Sequence, residues 1–341
     1  MGQRIAFVFP GQGSQTVGMG ADIYQASSAA RAVYATADDA LGFSLSTLCF
    51  EGPETALRET INTQPAIVAT SLALLAALQE AAGADMPGAP RLDGPIHPVC
   101  VAGHSVGEYS AVAASGALGI ADTLRLVRER GRLMHEEGQR CPSGMAAVLG
   151  MDAETLRSIC AEATEKALAS LSADDQVRHP GAGRVVVAND NAPGQIVISG
   201  ALPALEVAME LARTGGAKRV VPLAVSGAFH SPVMAPAAEA LAAAVTAAPV
   251  VAPSTPVIAN ITAGPLTTEA QLREELAQQI VSPVQWTRTV EYLAEDGIEL
   301  FVEIGVGQVL TGLIKRIAKG AAVVSVGSAA DVATVAERLR A

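Results

Sequence analysis

The sequence predicts an α/β fold, in which a parallel sheet flanked by helices is interrupted by a small inserted unit. Three observations carry that expectation. Short apolar runs alternate with longer helical patterns, the mark of parallel strands joined by crossover helices. Two of those runs, Arg4 to Phe9 and Pro98 to Ala102, read as strands buried on both faces, and each leads through a glycine-containing turn into a helical segment. Residues 144–223 have a rhythm of their own, β-α-β-β-α-β, which is the split βαβ order of a ferredoxin-like unit.

At 341 residues the chain exceeds one ordinary domain of roughly 100 to 200 residues. The expected division is a discontinuous large domain, 1–141 with 224–341, and a small domain at 142–223. With 50% hydrophobic and 17% charged residues and a mean hydropathy of +0.34, it lies far from the composition of disordered chains. Aromatics are only 3%, so the core is built from Ala, Val, Leu and Ile.

The first strand, 4–9, ends in Pro10-Gly11-Gln12-Gly13-Ser14-Gln15, at a strand carboxyl end where open α/β sheets place ligands. No third glycine makes it a dinucleotide fingerprint, and no Gly-Lys-Ser/Thr phosphate loop occurs in the chain. By itself it is a plain turn, with Gln12 able to offer an amide N–H to an oxyanion. Residues 66–78 are nearly apolar, broken by Thr70 and Ser71, and fall short of the roughly 20 that a membrane span needs. They read as a buried helix. The N-terminus lacks a small-residue cleavage site, so no targeting segment is expected.

The strand at 98–102 runs into Gly103-His104-Ser105-Val106-Gly107 and a helical 108–118, the strand-turn-helix context of a nucleophile elbow. The flanking glycines allow the sharp turn that lifts the Ser105 hydroxyl to a helix N-terminus, where the Val106 N–H points at a developing oxyanion. The alternative is an ordinary serine capping a helix. In the next helix, 121–138, Leu126, Val127, Leu133 and Met134 define an apolar face with Arg130 in its middle. A buried arginine needs an anion, either an internal carboxylate or a ligand held in bidentate geometry. Arg125, Arg128 and Arg132 lie off that face and read as solvated.

Within the insert, strands are expected at 145–149, 184–188, 196–199 and 219–223, with helices at 153–171 and 203–214. Beyond it the α/β rhythm resumes, with helices at 236–247, 269–280, 284–295 and 309–318 and strands at 256–260, 300–304 and 322–326. Residues 83–98 and 172–183, rich in Pro, Gly and Asp, read as surface loops.

A serine nucleophile needs a base, and four of the five histidines are candidates. His104 adjoins Ser105 and diverges from it, His135 sits near a helix end, and His179 in a polar loop reads as solvated. His230, in Gly227-Ala228-Phe229-His230-Ser231-Pro232, stands where the chain re-enters the large unit and is best placed. No Asp is close to it in sequence.

The 23 Lys and Arg against 34 Asp and Glu give a net charge of −11, which argues against nucleic acid as partner. Four Cys at 49, 100, 141 and 160 show no C-x-x-C spacing and fit a reducing cytoplasm. No metal is expected.

Together, Phe9 to Gln15, Gly103 to Glu108, Arg130-Gly131, Asn189 to Gly200, Gly227 to Ser231 and Ser282 to Trp286 resemble the malonyl-CoA:acyl carrier protein transacylase family over essentially the whole chain. The resemblance implies an α/β-hydrolase-like large domain with a ferredoxin-like insert. It implies ping-pong transfer of malonyl from malonyl-CoA to the phosphopantetheine thiol of acyl carrier protein, without a cofactor, by a monomer. Carried over by position, Ser105 is the nucleophile, His230 its base, Gln12 and Val106 the oxyanion hole, and Arg130 the grip on the malonyl carboxylate. The backbone carbonyl of Gln279 replaces an acid in orienting His230. Phe229 matches the residue that disfavours a methyl branch, and Asn189 and Asn191 match positions bordering the cleft. Carriers of this family are acidic, so docking is expected on Lys315, Arg316 and Lys319 or on Arg213, Lys218 and Arg219. A serine thioesterase, a polyketide acyltransferase and the malonyltransferase of malonate decarboxylase are the alternative readings.

Overall fold

The computed structural model describes residues 3–83, 92–172 and 179–340. Among the described residues ten strands form two sheets. The larger takes β1 (Ile5–Phe9), β2 (Cys100–Gly103), β7 (Val257–Ile258), β8 (Pro265–Leu266), β9 (Leu300–Ile304) and β10 (Ala322–Val326), in the order β10-β9-β1-β2-β7-β8. All its pairings are parallel except β7 with β8, so the sheet departs from purely parallel at one edge. The smaller sheet takes β3 (Ser143–Leu149), β4 (Val185–Ala192), β5 (Gln195–Ala201) and β6 (Arg219–Pro222), antiparallel in the order β4-β5-β3-β6. That order, with one helix after its first strand and one after its third, is ferredoxin-like.

The helices among the described residues are α1 (Ala21–Ala26), α2 (Ser28–Leu41), α3 (Leu45–Glu51), α4 (Glu54–Arg58), α5 (Thr60–Ala81), α6 (Gly107–Ala114), α7 (Ile120–Arg140), α8 (Ala153–Ser170), α9 (Leu202–Thr214), α10 (Ala235–Ala247), α11 (Glu269–Gln278), α12 (Trp286–Glu295), α13 (Val309–Ile317) and α14 (Ala329–Arg340). Caps explain several starts: Ser27 accepts from the Ala30 N–H, Asp152 from that of Thr155, and Thr268 with Gln271 forms a capping box.

Strand alternation divides the core. Ile5, Phe7 and Phe9 of β1 enter the cluster beneath α2, α5, α6 and α7, while Ala6 and Val8 face the cluster formed with α12 and α13. Burying each such Val or Phe is worth about 1.5 to 3 kcal/mol. A separate cluster, including Ala146, Val148, Leu156, Ile198 and Leu205, joins the antiparallel sheet to α8 and α9. Helix α5 is the one described helix long and apolar enough to cross a membrane, yet its apolar window is 89% buried, against α2, α7 and α14.

Several expectations shift. Helices α1 to α4 and α14 form where no element is expected. The strand expected over 256–260 pairs only at Val257–Ile258, because Asn260 leaves the sheet to bond the turn after β2. The helix expected to reach 280 ends at Gln278 and tightens into a 3₁₀ turn over Gln279–Val281. His179 is not solvated: its Nε2 bonds the buried Glu137 carboxylate at 2.6 Å. Arg128 is half-buried, stacked 4.9 Å from the Phe43 ring centroid and donating to the Ile61 carbonyl. Of the expected loops, residues 84–91 and 173–178 lie outside the described residues.

Candidate active site

The turns after β1 and β2 meet at the sheet's carboxyl edge. A Cβ on Gly103 would lie 2.0 Å from the Gly107 carbonyl, and one on Gly107 would lie 2.2 Å from the Phe9 oxygen, so no side chain fits at either position. Between them Ser105 takes a left-handed φ of 51°, and His230 a φ of 57°. Such values cost non-glycine residues free energy and are held by their surroundings. The Ser105 N–H donates to Asn260 Oδ1 at 2.7 Å, and the Ser105 carbonyl accepts from Gln279 Nε2 at 2.9 Å.

Ser105 Oγ lies 2.7 Å from His230 Nε2. On the far side of the ring, Nδ1 faces the carbonyls of Gln279 at 2.9 Å and Ser282 at 3.1 Å, two acceptors that fix Nδ1 as the protonated nitrogen. Nε2 is thereby left with a lone pair toward Ser105. Burial, reinforced by the Arg130 charge, pushes the His230 imidazolium down to about 3, so the ring is neutral at physiological pH.

Arg130 is 1% exposed and forms no ion pair among the described residues. Its Nη1 donates to Gln64 Oε1 at 2.6 Å, and its Nη2 to Gln279 Oε1 at 2.8 Å and to Ser105 Oγ at 3.3 Å. Its Nε is buried without a partner, and its guanidinium lies 5.5 Å from the Tyr109 ring centroid. Burial lowers its pKa. Two neutral amides orient the cation without discharging it, so its field is available to an incoming anion.

These groups line a cavity of about 330 Å³. Gln12, Ser105, Val106 and Arg130 reach it from the larger sheet's side, Phe229 and His230 from the segment after β6, and Met145, Asn189, Asn191 and Val197 from the antiparallel sheet. Gln12 Nε2 is 3.5 Å from Thr60 Oγ1, and His104 Nε2 bonds Asn191 Oδ1 across the cleft at 2.7 Å. Chemically, the pocket offers a hydroxyl beside a neutral imidazole, N–H donors near it, and a buried cation within reach of the hydroxyl. The profile of the acyl transferase domain matches residues 6–339. The chain belongs to the acyl transferase domain family.

Relatives of this acyl transferase agree. The malonyl CoA-acyl carrier protein transacylase of Bacillus subtilis (strain 168) is 42% identical over 314 residues, 92% of this chain and 90% of that one. The acyl-carrier-protein-S-malonyltransferase from Bartonella henselae superimposes with a TM-score of 0.87 at 39% identity, covering 100% of both chains. A malonyl-transacylase solved in complex with a type II PKS acyl-carrier protein matches with a TM-score of 0.87 at 36% identity, over 98% of this chain and 100% of that one.

All the residues singled out in the sequence of this acyl transferase for the pocket converge there: Gln12, Ser105, Val106, Arg130, Phe229 and His230 line it, and the Gln279 carbonyl backs it. Of the remaining histidines, His135 is half-buried on α7, and His97, passed over in the sequence, is exposed ahead of β2. Sequence reasoning missed Asn260, Gln64, the Ser282 carbonyl and the Gln279 side chain. A polar residue directly after an apolar strand was the available signal for Asn260. Gln64 and Gln279 act across 66 and 149 residues of sequence from Arg130, a separation no local pattern reveals. Among the described residues no group of three or more His, Cys, Asp or Glu could hold a metal ion. The four cysteines are buried, and burial pushes the thiols of Cys49, Cys100 and Cys160 up to about 12.

Proposed function

We propose that the chain transfers malonyl from malonyl-CoA to the phosphopantetheine thiol of an acyl carrier protein through a malonyl-serine ester. The observation that carries this reading is the buried, ion-pair-free Arg130, 3.3 Å from the Ser105 hydroxyl. His230 Nε2 takes the Ser105 proton as Oγ attacks the thioester carbonyl. Gln12 Nε2 and the Val106 N–H hold the oxyanion, and the Gln279 and Ser282 carbonyls stabilise the imidazolium through Nδ1–H. Collapse expels CoA thiolate, which takes the proton from His230. The carrier's thiol then repeats the sequence on the ester. Arg130 receives the malonyl carboxylate, and its unpartnered Nε supports bidentate binding.

In this reading residues 142–223 are a small domain inserted into a large domain of 1–141 and 224–341, closing the cleft over Ser105. The names of the relatives support the substrate, and the solved complex with a carrier supports the partner. An acidic carrier needs a basic patch. Lys218 and Arg316, one from each expected cluster, line a single open cleft of about 800 Å³, which Asp152 and Asp190 also line. The setting is the cytoplasm, and no cofactor takes part.

Intact-mass measurement tests the reading. The protein mixed with malonyl-CoA gains a malonyl adduct that persists without carrier, moves to carrier on its addition, and is absent in Ser105→Ala. Release of free malonate without an acceptor would instead identify a hydrolase.

A further inference from the structure

Beneath the pocket lie two buried acids that the proposed chemistry does not use. Glu108, on α6, is 0% exposed, and Glu275, on α11, is 4% exposed. Their carboxyls sit side by side on consecutive backbone amides: Glu108 Oε1 accepts from the Asn260 N–H at 2.8 Å, and Glu275 Oε1 from the Ile261 N–H at 3.0 Å. Because those amides belong to adjacent residues, the two carboxyls stand next to each other in one buried space. Two carboxylates so placed would offer only acceptors and repel, whereas one proton between them lets one carboxyl donate to the other.

We propose that Glu108 and Glu275 share one proton, and that the uncharged Glu108 is a positioning residue that sets Ser105 and Arg130 while leaving the Arg130 charge to the substrate carboxylate. The specificity part of this inference rests on the proposed malonyl transfer; the shared proton does not.

Two arms leave Glu108. Its Oε1 also accepts from Asn260 Nδ2 at 3.0 Å; the same Nδ2 donates to the Gly103 carbonyl at 2.7 Å, and Asn260 Oδ1 accepts the Ser105 N–H at 2.7 Å. This arm holds the left-handed backbone of Ser105. Its Oε2 accepts from Gln279 Nε2, whose other bond goes to the Ser105 carbonyl. That fixes the amide orientation of Gln279 and turns Oε1 toward Arg130 Nη2 at 2.8 Å. The same residue's backbone carbonyl meets His230 Nδ1. One carboxyl therefore orients the backbone of Ser105, the guanidinium and, through Gln279, the imidazole.

The charge state matters because Arg130 lies one amide away. An ionised Glu108 would offset the guanidinium and compete with a bound carboxylate. The other ionisable groups facing the pair are Tyr109 on α6, Glu274 on α11 and Arg130 on α7. Burial first, and then the charge of Glu275, hold Glu108 well above the usual carboxylate range, while burial raises Glu275 to about 7.

Glu275→Gln tests the inference. A glutamine there can accept from Ile261 and donate to Glu108, which no longer needs the proton and ionises. At about pH 8 the infrared C=O stretch of a buried carboxylic acid is expected in the wild type and absent from both Glu275→Gln and Glu108→Gln. Glu275→Gln is expected to raise the KM for malonyl-CoA on the order of tenfold, with kcat and acetyl loading nearly unchanged. A wild type without the acid band, a band that persists in both variants, or equal losses of malonyl and acetyl loading in Glu275→Gln would overturn it. A wild type that shows the band but loads no malonyl would refute the proposed function and leave the shared proton standing.

Discussion

Arg130 Nη2 lies 3.3 Å from Ser105 Oγ, so a cation and a hydroxyl beside a neutral imidazole open on the same small space. A malonyl group can present its carboxylate to the first and its thioester carbonyl to the second. Without a carboxylate, the guanidinium stays buried with neutral partners only. Arg130→Ala is therefore expected to slow malonyl loading at least tenfold, since hydrogen bonds to a charged group contribute about 1.5 to 3 kcal/mol. Acetyl loading is retained or raised. Adduct formation from the two acyl-CoAs, compared by mass, checks this; equal losses would make Arg130 structural.

His230 governs the pH response. Its imidazolium pKa is about 3 in the folded protein against roughly 6.5 in an unfolded chain. The folded value is depressed, so the stability contributed by the neutral ring is fully present above about pH 6.5 and is lost as pH falls toward 3. The loading rate should accordingly show no inflection near pH 6.5. Thermal unfolding should lose less stability over that acid range in His230→Gln than in the wild type, because glutamine takes up no proton. An acid limb of loading centred on pH 6.5 would contradict the burial argument.

The elbow was legible because its requirement is local: two glycines flanking a serine between an apolar strand and a helix. Arg130 was legible because a cation on an apolar helical face breaks a short-range pattern. The ferredoxin-like unit followed from element order alone. The groups that orient Arg130 were hidden, since Gln64 and Gln279 approach it from two other elements. Glu108 was quoted only as part of the elbow motif, and its pairing with Glu275 depends on how α6 meets α11. The solvated reading of His179 failed for the same reason, since Glu137 is 42 residues away and sequence shows no contact between them.

The glycines of the larger fold separate steric need from tolerance. Gly107→Ala sets a methyl 2.2 Å from the Phe9 carbonyl oxygen, where backbone must move. A loss of about 3 kcal/mol or more in denaturant unfolding is expected, together with loss of loading. Gly312 lies exposed inside α13 with nothing within 4 Å of an added Cβ. Gly312→Ala is expected to stabilise by about 0.5 to 1 kcal/mol through helix propensity.

Phe229 lines the cavity beside His230 and is 6% exposed. In the proposed reaction its ring fills the space that a methyl branch on the substrate would need. Phe229→Ser should raise loading of methylmalonyl relative to malonyl. One methyl in an apolar pocket is worth about 1 to 3 kcal/mol, so the change in ratio is roughly tenfold to two-hundredfold and wild-type exclusion is leaky. Competition between the two acyl-CoAs at equal concentration, read by mass, would refute this role if the ratio does not move.

In the proposed reading a chain of net charge −11 receives an acidic carrier, so docking depends on individual cations, and the open cleft presents Lys218 and Arg316 beside Asp152 and Asp190. The two cations are not equivalent. Arg316 Nη2 donates to the Pro193 carbonyl at 2.9 Å and its Nη1 bonds Gln195, so it also ties α13 to the β4–β5 turn. Lys218 is exposed and makes the cleaner test. Lys218→Glu is expected to raise the KM for carrier severalfold while leaving kcat near wild type. Raising ionic strength from about 0.05 to about 0.5 M shortens the Debye length roughly threefold, and should weaken the wild-type carrier reaction more than the variant's. A carrier KM insensitive to both salt and this substitution would move the docking site away from the cleft.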